Sequence, residues 1–329
     1  MRFRFTDEHD MFRDTVRTLF ADRCAPEAVR ASWETPGARV SGLWEGLAGM
    51  GVLAALAPEA VGGLGMDEVA FVRILEEAGY AAVPEPLMEH AFVAIPALAE
   101  ARSDALAAAI DGSTTITIDL DGSDIIASAA IADGIVTGVD GGLAFTTGHD
   151  ATSVTAIDPS RRLGSVTGGT TIGLDGADLD VALDRAVLGA AAQCIGVARR
   201  LLDASVAYVA DRHQFGKPVG SYQAVKHHLA DVRIAIEFAA PLVYRAAWSM
   251  AHPETHEPLR RARDVSMAKA QASDAVDLAA RKALQCHGAI GYTFEYDLQL
   301  WLKRAWALSA AYGDARHHRD RVAAAIGLV

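Results

Sequence analysis

Within residues 212–231, RHQFGKPVGSYQAVKHHLAD, the guanidinium of Arg212 is followed by a break at Gly216, Pro218 and Gly220. Gln223 then opens a new run of helical spacing, with Ser221 well placed to cap it. This sets Gln223 in a first helical turn, where backbone N–H groups point outward without intrahelical partners. A helix start beside a guanidinium suits an anion such as a phosphate or diphosphate. The same spacing also fits a simpler role, with Arg212 complementing the negative end of the preceding helix dipole. His227 and His228 are adjacent on the helix and point apart, so they do not form a metal pair, and no metal site is expected. Cys24, Cys194 and Cys286 are an odd number without metal-ligand spacing, and read as reduced thiols of a cytoplasmic protein.

The elements that must position these groups follow from composition and periodicity. A chain of 329 residues is long enough for several packed subdomains, and with 51% apolar but 7% aromatic residues its core must be largely Ala, Val, Leu and Ile. The net charge of −12 argues against a nucleic-acid surface and supplies no polybasic membrane signal. No signal peptide or membrane span is expected.

Residues 1–110 read as a helical domain. Thr6 or Asp7 caps a first helix, Asp67 caps a later one, and Gly79 stops it ahead of Pro84 and Pro86. Residues 111–185 turn rich in Thr, Ile and Val, with Asp-Gly pairs at 111, 121, 133, 140 and 175, and read as a small antiparallel β domain that includes TTITIDL and GIVTGV. Residues 186–329 return to helix in four long amphipathic segments, with Pro241 inside the second, and read as a four-helix bundle. The fold class is therefore mainly α with a small β domain.

The 212–231 stretch resembles the R-x-x-F-G-x-x-x-x-x-F/Y-Q-x-x-x-H-x-L-A-D run of the acyl-CoA dehydrogenase family, through Arg212, Phe215, Gly216, Tyr222, Gln223, His227, Leu229, Ala230 and Asp231. QCHGAIGYTFEYDLQLWLKR is similar to the family's Q-x-x-G-G-x-G-Y/F-T-x-E segment through Gln285, Gly288, Gly291, Tyr292, Thr293 and Glu295. APEAVGGLGMDEVAFVRILEEAG resembles its P-E-x-x-G-G-x-G segment. The resemblance spans nearly the whole chain in α–β–α order. It implies an FAD-dependent α,β-dehydrogenation of an acyl-CoA thioester, with an electron-transferring flavoprotein as acceptor. It further implies that Arg212, Phe215, Gln223, Gln285 and Gly288, with His287 and Ala289 alongside, hold the adenine and diphosphate end of FAD bound chiefly by a neighbouring subunit. Ala289 stands where the family has a second glycine, which weakens a close backbone approach.

Two departures shape the reading. The family's T-E-P-x-x-G-S-D and W-x-S/T segments are missing, and LAFTTGHDATSVTAID is a faint echo of one family strand. The family's Y-E-G-T base segment corresponds to AYGDAR, so Tyr312 is kept and Gly313 replaces the glutamate. Asp314 lies one position along, about 100° around a helix. Some relatives place the base where this chain has Ala186, with Asp184 two residues away. Asp314 and Asp184 are thus weak candidates for a base, with capping or surface charge as the alternative. Three readings remain open. One is a subunit of an α2β2 heterotetramer that completes a homologous partner's FAD site and acts on a bulky, steroid-derived acyl-CoA. The others are a self-sufficient homotetramer with a relocated carboxylate, and a flavin-free helical binding protein.

Overall fold

A computed structural model describes residues 4–34, 37–255 and 257–328. The helices are α1 (Asp7–Arg23), α2 (Pro26–Ala31), α3 (Leu43–Gly49), α4 (Glu68–Tyr80), α5 (Ile95–Glu100) and α6 (Leu106–Ile110), with a π-helical stretch at Met88–Ala94. Four strands follow: β1 (Ile116–Asp119), β2 (Gly134–Val139), β3 (Gly142–Ser153) and β4 (Gly164–Leu174). Helix α7 (Leu179–Asp211), a short hairpin of β5 (His213–Gln214) and β6 (Lys217–Pro218), α8 (Gln223–Ala251), α9 (Pro258–His287), α10 (Leu298–Ala310) and α11 (Ala315–Ala325) complete the chain. The mainly helical architecture with a small sheet is as the sequence predicts.

Contacts divide the chain into two units. The first comprises Phe5–Ile74 with Val83–Gly189. Thr6 caps α1 by accepting from His9 N at 3.2 Å, and Asp67 caps α4 by accepting from Ala70 N at 3.0 Å, both as the spacing predicts. Phe71 and Phe92 stack at 5.4 Å within its core. His90 is fully buried, with Nε2–H donating to Ala109 O and Nδ1 accepting from Ile116 N, each at 3.0 Å.

The sheet of this unit has the order β1-β2-β3-β4 and is mixed, because β1 pairs with β2 in parallel. The antiparallel expectation fails there: residues 120–133 form a crossover, and parallel pairing needs such a connection. Among the Asp-Gly pairs, Asp140-Gly141 forms a two-residue hairpin between Val139 and Gly142, with Gly141 at φ 88°. Gly112, Gly122 and Gly176 serve left-handed positions in other turns.

The second unit contains Leu75–Ala82 and the chain from Ala190 onward. Helices α8 and α9 pack against each other, and Val232, Ile236 and Val243 of α8 and Val265, Ala272 and Val276 of α9 are buried. Pro241 lies inside α8 without ending it. The last turn of α4 docks on α7 through two glycines. A Cβ on Gly79 would lie 2.2 Å from Gln193 O, and one on Gly196 would lie 1.8 Å from Glu76 O. Gly79 is therefore a packing notch rather than the expected stop; α4 runs to Tyr80, and Ala82 takes the left-handed conformation at φ 51°. Arg199 Nη1 donates to Glu76 Oε2 at 2.6 Å and Nη2 donates to Tyr244 Oη at 3.2 Å beside this notch. Helix α7 is long and apolar enough to cross a membrane, but 78% of its apolar window is buried inside the protein, as in a core helix.

Candidate nucleotide-binding surface

The predicted anion-binding residues sit on a local structure built from the end of α7. Arg212 N–H still donates to Tyr208 O at 2.9 Å, while its carbonyl accepts from Val219 N at 2.7 Å and so closes the β5–β6 hairpin. Gln214 pairs with Lys217 across a two-residue turn whose members both have positive φ, Phe215 at 52° and Gly216 at 83°. Glycine takes this conformation freely and phenylalanine does not, so Phe215 is held under strain with its ring 90% exposed. Gly220 permits the return, since a Cβ there would lie 3.0 Å from Val209 O. The expected cap, Ser221, ends a 3-10 turn instead. Tyr222 takes the N-cap position and makes no side-chain capping bond; in the first turn of α8 the Val225 N–H donates to the Tyr222 carbonyl at 3.1 Å. Tyr222 Oη donates to Gln214 O at 3.3 Å, and Lys217 Nζ sits 4.2 Å from the Tyr222 ring.

The second motif occupies the end of α9. Gln285 is exposed, His287 is buried, and Gly288 adopts φ 61°, ψ −139°, a conformation essentially reserved for glycine. A Cβ on Gly288 would meet nothing within 4 Å, so its backbone is open to an approaching group. Ala289 follows in the 3-10 turn Gly288–Tyr292 and is exposed.

Two contacts bring the motifs together. The rings of Tyr208 and His287 stack at 4.4 Å with 22° between their planes, joining the end of α7 to the end of α9. Lys282 Nζ donates to His228 Nδ1 at 2.9 Å, joining α9 to the second turn of α8. His287 Nδ1–H donates to Ala283 O at 2.8 Å, and burial lowers its pKa, so the ring is neutral with Nε2 a bare acceptor that has no hydrogen-bond partner among the described residues. Arg212, Phe215, Gln223 and Gln285 are all exposed, and these contacts join the helices and turns that carry them. Tyr208 and Lys282 escape the sequence reading because their partners are distant in the chain.

The carboxylate candidates are placed differently. Asp314 Oδ1 accepts from His317 N at 2.8 Å and caps α11; that backbone hydrogen bond holds its pKa below the usual value. Asp184 is buried in the early turns of α7, which begins before the expected boundary at 186. Among the described residues no cluster of three or more His, Cys, Asp or Glu could hold a metal ion. All three cysteines are free, and burial pushes the Cys194 thiol up to about 12. Two concavities of the first unit, of ≈ 300 and ≈ 190 Å³, contain none of the predicted site residues.

The sequence pattern described as "Acyl-CoA dehydrogenase, C-terminal domain" matches residues 179–327, and "Acyl-CoA dehydrogenase, N-terminal domain" matches residues 6–109. The chain belongs to the acyl-CoA dehydrogenase family. A curated relative, acyl-CoA dehydrogenase IpdE2 of Mycolicibacterium smegmatis, is 34% identical over 98% of this chain and 99% of its own length. Among solved structures, one described as the Tcur3481-Tcur3483 steroid ACAD G363A variant superposes with a TM-score of 0.87 at 25% identity, covering 98% of each chain. The ChsE4-ChsE5 complex from Mycobacterium tuberculosis superposes at 0.89 with 24% identity, covering 100% of each chain, and shows the same fold. Family membership makes the chain a dehydrogenase. The pattern matches leave residues 110–178 between them, the region where the family's β-domain segments are missing.

Proposed function

We propose that the chain is one subunit of a heteromeric acyl-CoA dehydrogenase and that its Arg212 surface completes the FAD site of a homologous partner. The observation that supports this is a set of exposed binding groups, on helix ends joined by the Tyr208–His287 stack, that the chain itself does not use. The Arg212 guanidinium and the Gln223 and Gln285 amides make no side-chain hydrogen bond or ion pair among the described residues, beside a helix start without a side-chain cap.

These residues fit FAD. Arg212 and the first-turn N–H groups of α8 suit a diphosphate, and the exposed Phe215 ring offers an apolar face to an adenine. Gln223 and Gln285 supply donors and acceptors for ribose and base edges, while Gly288 lets the backbone come close and Ala289 lies alongside. When bound, FAD supplies the acceptor for the β-hydride in α,β-dehydrogenation of an acyl-CoA thioester. This chain's contribution is to bind and orient; Asp314 is engaged as a cap, which does not favour the self-sufficient homotetramer.

The named complexes among the structural neighbours, two of them pairs of different chains and one termed a steroid enzyme, support a heteromer acting on a bulky, steroid-derived acyl-CoA. The α2β2 state and an electron-transferring flavoprotein as acceptor belong to the same proposal. Co-expression with a homologous subunit tests it: a yellow complex with one FAD per heterodimer is expected, and Arg212→Ala should release the flavin without dissolving the complex. A yellow, active homo-oligomer of this chain alone would refute it.

A further inference from the structure

Helices α10 and α11 meet at residues 311–314, and this turn is held from beneath by two buried side chains. Lys269, on α9, is fully buried. Its Nζ donates to Ser273 Oγ at 2.9 Å, Ser309 O at 2.9 Å and Gly313 O at 3.0 Å, which places all three ammonium hydrogens. His318, also fully buried, donates from Nε2–H to Tyr312 O at 3.0 Å and presents Nδ1 to Ser266 Oγ at 3.3 Å. Two successive carbonyls, those of Tyr312 and Gly313, are thus each held by a buried donor.

The backbone between them is left-handed at both residues, with φ 56° at Tyr312 and 98° at Gly313. A Cβ on residue 313 would lie 2.5 Å from His317 Cδ2 and 3.0 Å from His318 Nε2. His317 is exposed and can swing aside. His318 is buried and cannot move without releasing the Tyr312 carbonyl.

We infer that Lys269 and His318 lock the 312–314 turn in a form that admits glycine alone at 313, so that no carboxylate reaches an acyl group from this turn. A base for α-proton removal needs a carboxylate oxygen within hydrogen-bonding reach of that proton. Gly313 has none to offer, and Asp314 already accepts from the α11 backbone. The proton acceptor must come from elsewhere, and the heteromer reading, on which this functional consequence rests, places it on the partner subunit. The lock itself does not depend on that reading.

A double-mutant cycle on the full chain tests the lock without flavin or partner. Gly313→Ala should lower Tm by at least about 2 °C. In a Lys269→Met background the same substitution should have a clearly smaller effect, because the turn is then free to rearrange. Should Lys269→Met not fold, His318→Gln replaces it as the releasing variant. Additive effects would overturn the lock. In the complex with its partner, Gly313→Glu should leave kcat at or below the wild-type value, and a rise in kcat would overturn the inference. An active homo-oligomer would sink the heteromer reading and leave the cycle's result standing.

Discussion

The Tyr208 ring lies flat against the His287 ring at 4.4 Å, and this stack ties Arg212, one helical turn past Tyr208, to Gln285, two residues before His287. Its energy beyond area burial is about 0.5–1.5 kcal/mol, enough to matter for the registration of two loops. Tyr208→Ala should therefore weaken flavin retention by about tenfold, equivalent to 1.4 kcal/mol, while leaving oligomer assembly intact. Flavin fluorescence on dilution of the complex reads this directly.

Phe215 carries left-handed strain for an exposed ring. Phe215→Gly should raise Tm of the chain alone, by relief of about 1 kcal/mol of strain, and lower flavin affinity in the complex. Opposite signs in the two measurements are the expected signature; a loss in both would mean the ring packs within the chain.

Asp314 caps α11 through the His317 N–H. Asp314→Ala should lower the urea midpoint, and Asp314→Asn should change it very little, since Asn caps equally well. Turnover of the complex should be unchanged by either variant, whereas a catalytic carboxylate would be silenced by both.

Burial holds His90 and His318 at about 4, below the usual 6.5. Between those values the unfolded chain binds protons that the folded chain excludes, so stability falls as pH drops through that window and levels off below it. The slope is roughly 1.4 kcal/mol per pH unit for each imidazole. Both ring nitrogens of His90 are committed in its neutral form, Nε2–H to Ala109 O and Nδ1 to Ile116 N–H, which leaves no acceptor for a second proton. Urea midpoints from pH 7 to pH 4.5 should decline, and His318→Gln should flatten that decline.

The turn and helix start that follow Arg212 were legible in sequence because their information is local and falls within a few residues. The fold class was legible for the same reason, through helical periodicity and a Thr- and Val-rich middle. Long-range relations were not. Gly79 looks like a helix stop, and its reason for being glycine is Gln193 O across an interhelical contact. Ser221 looks like a cap, yet the hairpin geometry hands that position to Tyr222. The parallel pairing of β1 with β2 has no local signature, since residue types do not encode strand direction. Helix α11 goes unread because ARHHRDRVAAA buries little beyond His318 and shows no apolar stripe.

Gly196→Ala should be severe. Its Cβ would sit 1.8 Å from Glu76 O, so the last turn of α4 must lift off α7, at a cost of about 3 kcal/mol. Insoluble expression, or a matching loss in the urea midpoint, is the expected outcome.

The glycine notch also has a timetable. Gly79 and Glu76 leave the ribosome long before the Gln193–Gly196 segment that receives them. At ordinary elongation rates the gap is on the order of ten seconds. During that interval the Leu75–Ala82 segment lacks the α7 backbone it packs on, so the notch closes only once α7 has been synthesised.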